Sequence, residues 1–198
     1  MDRIVSMKLS RFLYFGDFVA CPLAVVGLFI SVLALRDWTA IGVWFLTFIP
    51  GLFAWTFVEY AVHRWIYHSV RYFDKMHDAH HQEPMSLIGA PSFASIILIF
   101  VVFYVPLYFA NHASAAGFTS GMLVGYFGYQ LVHYASHHWA LKPGSLLYRA
   151  RVRHMAHHYR NVEGNYGIVT SLWDRVFATY IEGRRQKASP EKETPATS

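Results

Sequence analysis

Apolar residues fall into four long runs along the chain, with the polar residues gathered between them. Residues 18–35 are apolar or small, at the short end of the ~17–25 residues a helix needs to cross ~30 Å of hydrocarbon; Pro22 near the start is tolerable there. Arg36 and Asp37 make a polar turn. The second run, 38–62, carries Trp38 and Trp44 near its beginning, where they suit a membrane interface. A helix from Trp38 to His68 would be roughly 45 Å long at ~1.5 Å per residue, so it projects past the hydrocarbon and brings His63 and His68 to the surface. A loop punctuated by Pro84, Gly89 and Pro91 leads to the third run, 92–110. The fourth is 118–139, where Gly121, Gly125 and Gly128 permit close helix approach. The pattern predicts an all-α integral membrane protein with four transmembrane helices. The basic start, with Arg3, Lys8 and Arg11, resembles that of a signal peptide, but no clear small-residue cleavage site follows and three more runs do, so the first span is read as retained.

Composition sharpens this picture. Hydrophobic residues make up 55% and charged residues 15%, the latter well below the ~25% of soluble domains, which excludes an ordinary soluble domain. Residues 1–185 form one domain, and from Gln186 the chain turns to Ser, Pro, Glu, Lys and Thr, so 186–198 is expected to be a disordered tail. Four spans place both termini on one side. Of the 17 Lys and Arg, all but Arg36 lie in the N-terminal arm, the loop between spans two and three, or the C-terminal region. By the positive-inside rule that face is cytoplasmic. Topology and lipid headgroup attraction account for the basic excess, and nothing supports specific nucleic-acid binding. Cys21 is the single cysteine and forms no internal disulfide. With no recognisable terminal retention signal, a bacterial inner membrane is expected over the endoplasmic reticulum.

The candidate chemistry lies in the histidines on that face. His77, His80 and His81 are spaced i, i+3, i+4, as are His154, His157 and His158, while His133 and His137 form an i, i+4 pair; each box can point its imidazoles into one space. His63 and His68, five apart, differ by about 140° on an ideal helix and need a helix end, a bulge or two different metals. These ten are too many for one ion with about four to six ligands and suit two. His138 is read as a neighbour of the site and His112, isolated in the opposite connection, as a polar interface group. The boxes contain no cysteine, which excludes a thiolate-rich zinc site. Nitrogen ligation suits iron, zinc or copper rather than magnesium or calcium: zinc would point to hydrolysis or structure, two irons to O₂ activation. Glu59, one turn before His63, and Gln130, three before His133, are candidates to hydrogen-bond ring nitrogens from a second layer. Asp174, a third such candidate, is read first as a local cap or a partner of Arg175. No Ser-His-Asp or glycine-rich phosphate signature competes.

The set His63-x4-His68, His77-x2-His80-His81, His133-x3-His137 and His154-x2-His157-His158 resembles the fatty acid hydroxylase superfamily, which also holds sterol desaturases, sterol methyl oxidases and small carotenoid ring hydroxylases. The flanking His80-His81-Gln-Glu-Pro84, Pro91, and the stretch from Asn165 through Trp173-Asp174 to Thr179 agree with it, and the last looks most like the fatty acid 2-hydroxylase branch. The likeness covers about residues 55–181. It implies a four-helix membrane anchor with a cytosolic helical cap holding a dimetal site. Iron is expected for activity, with zinc as the metal of some isolated members, and O₂ is the oxidant. No catalytic residue beyond the metal site is implied. The chain shows no fused cytochrome b5-like domain, so electrons are expected from a separate protein, a ferredoxin or a cytochrome b5-like donor. Arg149, Arg151, Arg153 and Arg160 suit docking of an acidic donor or contact with headgroups. The expected activity is O₂-dependent hydroxylation of a membrane lipid's acyl chain, which enters between spans two and four and the cap. Trp65, Tyr67, Tyr134, Trp139 and Trp173 are the candidate channel walls, with interface anchoring as their alternative role. The other readings are a carotenoid ring hydroxylase or sterol oxidase of the same superfamily and, in a different class, a metal transporter. Transport ligands belong near the bilayer midplane, and spans one and three contain no histidine.

Overall fold

Asp37 starts the continuous helical stretch Trp38–Tyr67: its Oδ1 accepts the Thr39 N–H at 2.8 Å, satisfying one of the free donors of the first turn. The computed structural model describes residues 8–159 and 163–182; the tail 186–198 and Arg160 lie outside them. In chain order the helices are α1 (Arg11–Phe15), α2 (Asp17–Leu33), α3 (Trp38–Ala61), α4 (Arg71–Gln82), α5 (Ala94–Ile99), α6 (Val105–Tyr108), α7 (His112–His138), α8 (Leu146–Tyr159) and α9 (Leu172–Val176). A π-helical turn, Val62–Tyr67, prolongs α3, and a second, Phe100–Tyr104, joins α5 to α6. No strand forms among the described residues, and a single bridge pairs Lys8 with Ile88.

Caps move two boundaries from where hydropathy alone puts them. Helix α7 begins at His112 rather than near 118, because Asn111 Oδ1 accepts the Ser114 N–H at 2.8 Å and the small residues that follow extend the helix. Helix α5 begins at Ala94 rather than 92, since Phe93 is left-handed, with φ 72°. Among the described residues one helix, Trp38–Tyr67, is long and apolar enough to cross a membrane. Asp17–Leu33 and Ala94–Tyr108 are apolar but shorter.

Helices α3 and α7 cross at backbone contact. A Cβ at Gly117 would overlap the Trp44 carbonyl, one at Gly121 the Phe48 carbonyl, and one at Gly51 the Phe118 carbonyl. At Gly125 a Cβ would sit 2.6 Å from the Trp55 side chain, whereas Gly128 has open space. The seam is therefore Gly51, Gly117, Gly121 and Gly125; Gly128, expected in it, is not part of it. Around it Trp44, Trp55, Met122, Leu123 and Tyr126 pack with Cys21, Leu28 and Val32 of α2 and Ile96 and Ile99 of α5.

A buried carboxyl group ties α2, α7 and the loop before α5 together. Asp17, 1% exposed, accepts from the Phe93 N–H at 2.7 Å, from the Tyr126 hydroxyl at 2.5 Å and from the Gln130 amide at 3.3 Å. Its own N–H donates to Ser92 Oγ at 3.2 Å. The start of α2, the loop before α5 and the middle of α7 thus share one acceptor, as a buried polar group requires.

Candidate metal centre

Four elements carry imidazoles to one end of the bundle. The π-helical turn at the end of α3 answers the His63–His68 spacing: i→i+5 hydrogen bonding returns the fifth residue to the same side, and the two rings stack with centroids 5.5 Å apart at 22°. On α4 the buried side is Met76, His77, Ala79 and His80, while Arg71, Tyr72, Lys75 and Asp78 face outward. Helix α7 contributes His133 and His137 from its last turns. On α8, Ala150, His154 and His157 share the buried face.

These histidines form two groups able to hold an ion. One is His80, His133, His137, His154 and His158; the other is His63, His68, His77 and His157; within each, the nitrogens lie within 4.8 Å of one another. His81 joins them, with its Nε2 3.0 Å from that of His77 and its ring stacked on His158 at 4.1 Å. In the second group the Nε2 atoms of His63, His77 and His157 form a triangle with sides of 3.0, 3.0 and 3.3 Å. In the first, His80 and His133 are 3.0 Å apart, His137 and His154 2.8 Å, and His154 and His158 3.1 Å.

The donor set fits metal ions on a tautomer argument. His63 Nδ1–H donates to the Tyr166 carbonyl at 2.7 Å, and His157 Nδ1–H to the Gly164 carbonyl at 2.9 Å. A carbonyl only accepts, so in each neutral ring the proton is on Nδ1 and Nε2 presents a lone pair. Two lone pairs 3.0 Å apart repel unless a cation lies between them. Nitrogens about 2.0–2.1 Å from a shared metal are themselves roughly 3 Å apart, which matches the spacing.

Burial, followed by neighbouring imidazoles, holds His80 and His157 down at about 3 and His81 at about 4, against about 6.5 in an unfolded chain. The rings are therefore neutral at neutral pH, as ligation requires. Because the folded values are depressed, their contribution to stability is complete above about 6.5 and lost as pH falls toward the folded values. The thermal midpoint of metal-free protein is expected to drop steadily between pH ~6.5 and ~4; a midpoint flat across that window would contradict buried neutral rings.

The remaining candidates take other places. Glu59 bonds no ring nitrogen: its Oε1 accepts from the Ile168 and Val169 N–H groups, at 2.5 and 3.0 Å. Gln130 likewise donates to Tyr126 and Asp17 rather than to a histidine. Asp174 accepts from the Tyr166 and Gly167 N–H groups and the Thr179 hydroxyl, while Arg175 lies over the Tyr180 ring at 4.2 Å. His138 stacks on Tyr134 at 4.2 Å, outside both groups. His112 meets the Ser31 and Tyr104 hydroxyls at 3.1 and 3.2 Å. Arg149 is exposed, but Arg153 turns inward to donate to the Ile168 carbonyl at 3.2 Å. Asp17, buried among these groups, carried no signal beyond an acid at the edge of an apolar run.

A cavity of ≈ 500 Å³ reaches the histidines from the apolar side, between α3, α5 and α7, lined by residues that include Trp55, Val58, Val62, Leu98 and Phe103. Its walls include spans two and four, between which the path was expected, with α5 as a third wall, while the glycine seam between α3 and α7 is closed. At its inner end Tyr67, Tyr126, Tyr129 and His63 also line a smaller polar chamber that includes His77, His80, His133 and His154. Of the five aromatic wall candidates, Tyr67 lines this space. Trp65 packs on Phe57 and Tyr60, and Tyr134 packs on Phe15 and Phe18. Trp139 is 44% exposed, and Trp173 donates from its ring nitrogen to the Thr56 hydroxyl at 2.9 Å.

Residues 48–179 match the model of a family described as fatty acid hydroxylase. The ceramide very long chain fatty acid hydroxylase scs7 of Schizosaccharomyces pombe is 37% identical over 145 residues, covering 67% of this chain and 41% of that protein. The fatty acid 2-hydroxylase of Mus musculus is 32% identical over 146 residues, covering 68% and 39%. The dihydroceramide fatty acyl 2-hydroxylase FAH2 of Arabidopsis thaliana is 32% identical, covering 65% and 58%. The chain thus spans about two fifths of the length of the first two relatives. The solved structure of full-length scs7p, in which only the hydroxylase domain is visible, superposes with a TM-score of 0.71 at 28% identity, covering 92% of this chain and 71% of that one.

Proposed function

The chain belongs to the fatty acid hydroxylase family, and from that membership we propose that it hydroxylates the acyl chain of a membrane lipid with O₂, using two metal ions held by its ten clustered histidines. The observation that carries this reading is the cavity: an apolar space large enough for a hydrocarbon chain ends at His63, beside the polar chamber of the histidines. The bound metals would supply redox activation of O₂, which favours iron, since zinc has no redox chemistry. The protein's own part is to receive and aim the substrate. Val58, Val62, Leu98 and Phe103 hold the chain by apolar burial, worth ~0.8 kcal/mol per methylene. Tyr67 and Tyr129 narrow the passage to the histidines.

In this reading α2, α3, the α5–α6 segment and α7 are the four membrane crossings, and the histidine end is cytoplasmic, as the charge bias supports. Helix α7 is 27 residues long, or about 40 Å, enough to span. A reduced acidic protein docks at Arg149 and Arg151 and supplies electrons. The relatives, fatty acid 2-hydroxylases and ceramide fatty acid hydroxylases, favour the acyl-chain assignment over a carotenoid or sterol substrate.

Lipid mass spectrometry of a host expressing the chain with a reductase system tests the assignment. One added oxygen on acyl chains, absent with the His157→Ala variant, is expected; the same addition confined to a carotenoid or sterol would replace the acyl assignment. Filling the cavity should act on substrate alone. Val58→Trp is expected to lower product from long chains by about 10- to 100-fold, the equivalent of the ~1–3 kcal/mol an overfilled apolar site costs, with metal content unchanged. Unaltered turnover would remove the cavity from the path of the chain.

A further inference from the structure

The stretch Asn165–Thr179 holds no metal-ligand residue, yet it makes the most elaborate set of buried backbone contacts near the site. Two carboxylates take the N–H groups of four consecutive residues: Asp174 accepts from Tyr166 at 2.8 Å and Gly167 at 2.9 Å, and Glu59 accepts from Ile168 and Val169. Asp174 is fixed in turn by the Thr179 hydroxyl at 2.8 Å, which meets the Tyr60 hydroxyl, itself the acceptor of an Arg64 N–H at 2.7 Å. Asn165, left-handed at φ 56°, donates from its amide to the Arg153 and Ile181 carbonyls and accepts the Ile181 N–H. With the N–H groups of residues 165–169 committed, this strap, residues 164–169, turns two carbonyls toward the metal centre, Gly164 to His157 and Tyr166 to His63. Both receiving rings belong to the same group of four. In the other group, Nδ1 of His80, His154 and His158 is buried with no protein partner among the described residues.

We propose that Asp174 and Glu59 are positioning residues for one metal position only: by clamping the backbone of residues 166–169 they set the tautomer and direction of His63 through the Tyr166 carbonyl, while the adjoining Asn165, whose N–H donates to the Thr179 carbonyl, holds the Gly164 carbonyl on His157, and so the His63, His68, His77, His157 position is preorganised. The two positions are then unequal by construction. The one at the strap binds with its lone pairs already aimed; the one at His80, His133, His137, His154 and His158 depends on its larger number of imidazoles. Outer partners of this kind are worth about 10- to 100-fold in metal affinity. This inference rests on the two-metal reading above.

Cobalt(II) titration of the metal-free full chain in detergent, followed by ligand-field absorption and total bound metal, separates the two claims. Uptake of two ions by the unaltered protein is the prior requirement; fewer would overturn the two-metal reading itself. Asp174→Asn leaves one oxygen where two accept, and puts an amide donor against a backbone N–H. It is expected to weaken one cobalt about 10- to 100-fold while the other keeps its affinity and circular dichroism keeps its helical signal. Glu59→Leu should do the same. Glu59→Gln, which retains the one oxygen that accepts both N–H groups, should restore two tight sites. If Asp174→Asn does not fold, Thr179→Val removes the hydroxyl that fixes Asp174, with its volume kept, and is read in the same way. Equal weakening of both ions in a folded variant, or of neither, overturns the proposal.

Discussion

His80→Ala and His157→Ala are each expected to abolish hydroxylated product while leaving the helices folded, whereas His112→Ala keeps both product and metal. His80 belongs to the group of five and His157 to the group of four, so each variant removes a ligand from a different position. Loss of a direct ligand costs more than the roughly 10- to 100-fold in affinity that follows loss of a ligand's outer partner. Bound metal should therefore fall from two ions toward one in either variant, and on the two-metal reading proposed above product should vanish in both. His112 instead bridges the Ser31 and Tyr104 hydroxyls at the opposite end, and its removal costs about 1 kcal/mol of stability. Metal analysis and lipid mass spectrometry on the same preparations check this. Product retained in His157→Ala with one ion bound would reduce the group of four to a structural role.

Local spacing made the histidine boxes legible, because i, i+3 and i+4 share a helix face whatever the fold around them. The apolar runs were legible for the same reason. What spacing could not convey was set by long-range contact. The spacing of His63 and His68 called for a helix end, a bulge or two metals, but Val62–Tyr67 contains no residue that announces a π-helical turn as the answer. Asp17 meets its partners Phe93 and Gln130 at separations of 76 and 113 residues. Glu59 was singled out for its position before His63, but its oxygen goes to a backbone segment 109 residues away. Backbone carbonyls such as those of Gly164 and Tyr166 have no side-chain signature at all. The aromatic walls misled for a related reason: Trp65 and Trp139 are near histidines in sequence but do not line the cavity, whose walls, Val58, Val62, Leu98 and Phe103 among them, look in the sequence like any lipid-facing residues.

Gly121→Val should cost the protein its fold and both metals together, although Gly121 touches no histidine. The new Cβ would overlap the Phe48 carbonyl and press on the Leu52 nitrogen, and backbone atoms inside a helix have no rotamer by which to move aside. Helix α7 must then lift from α3. Because α3 delivers His63 and α7 delivers His133 and His137, the displacement separates ligands of both groups. Overpacking costs about 1–3 kcal/mol where side chains can adjust; against rigid backbone the cost should be at least ~3 kcal/mol, in the range that disables a marginally stable domain. Gly128→Ala is the matched comparison. Its Cβ meets nothing within 4 Å, and alanine is favoured over glycine in a helix interior by up to ~1 kcal/mol, so that variant should equal or exceed the parent in thermal midpoint and keep two ions. Thermal unfolding and metal content measured on the pair decide the point. If Gly121→Val kept both, the α3–α7 contact would be a packing convenience, and the alignment of the ligands would have to come from the cap alone.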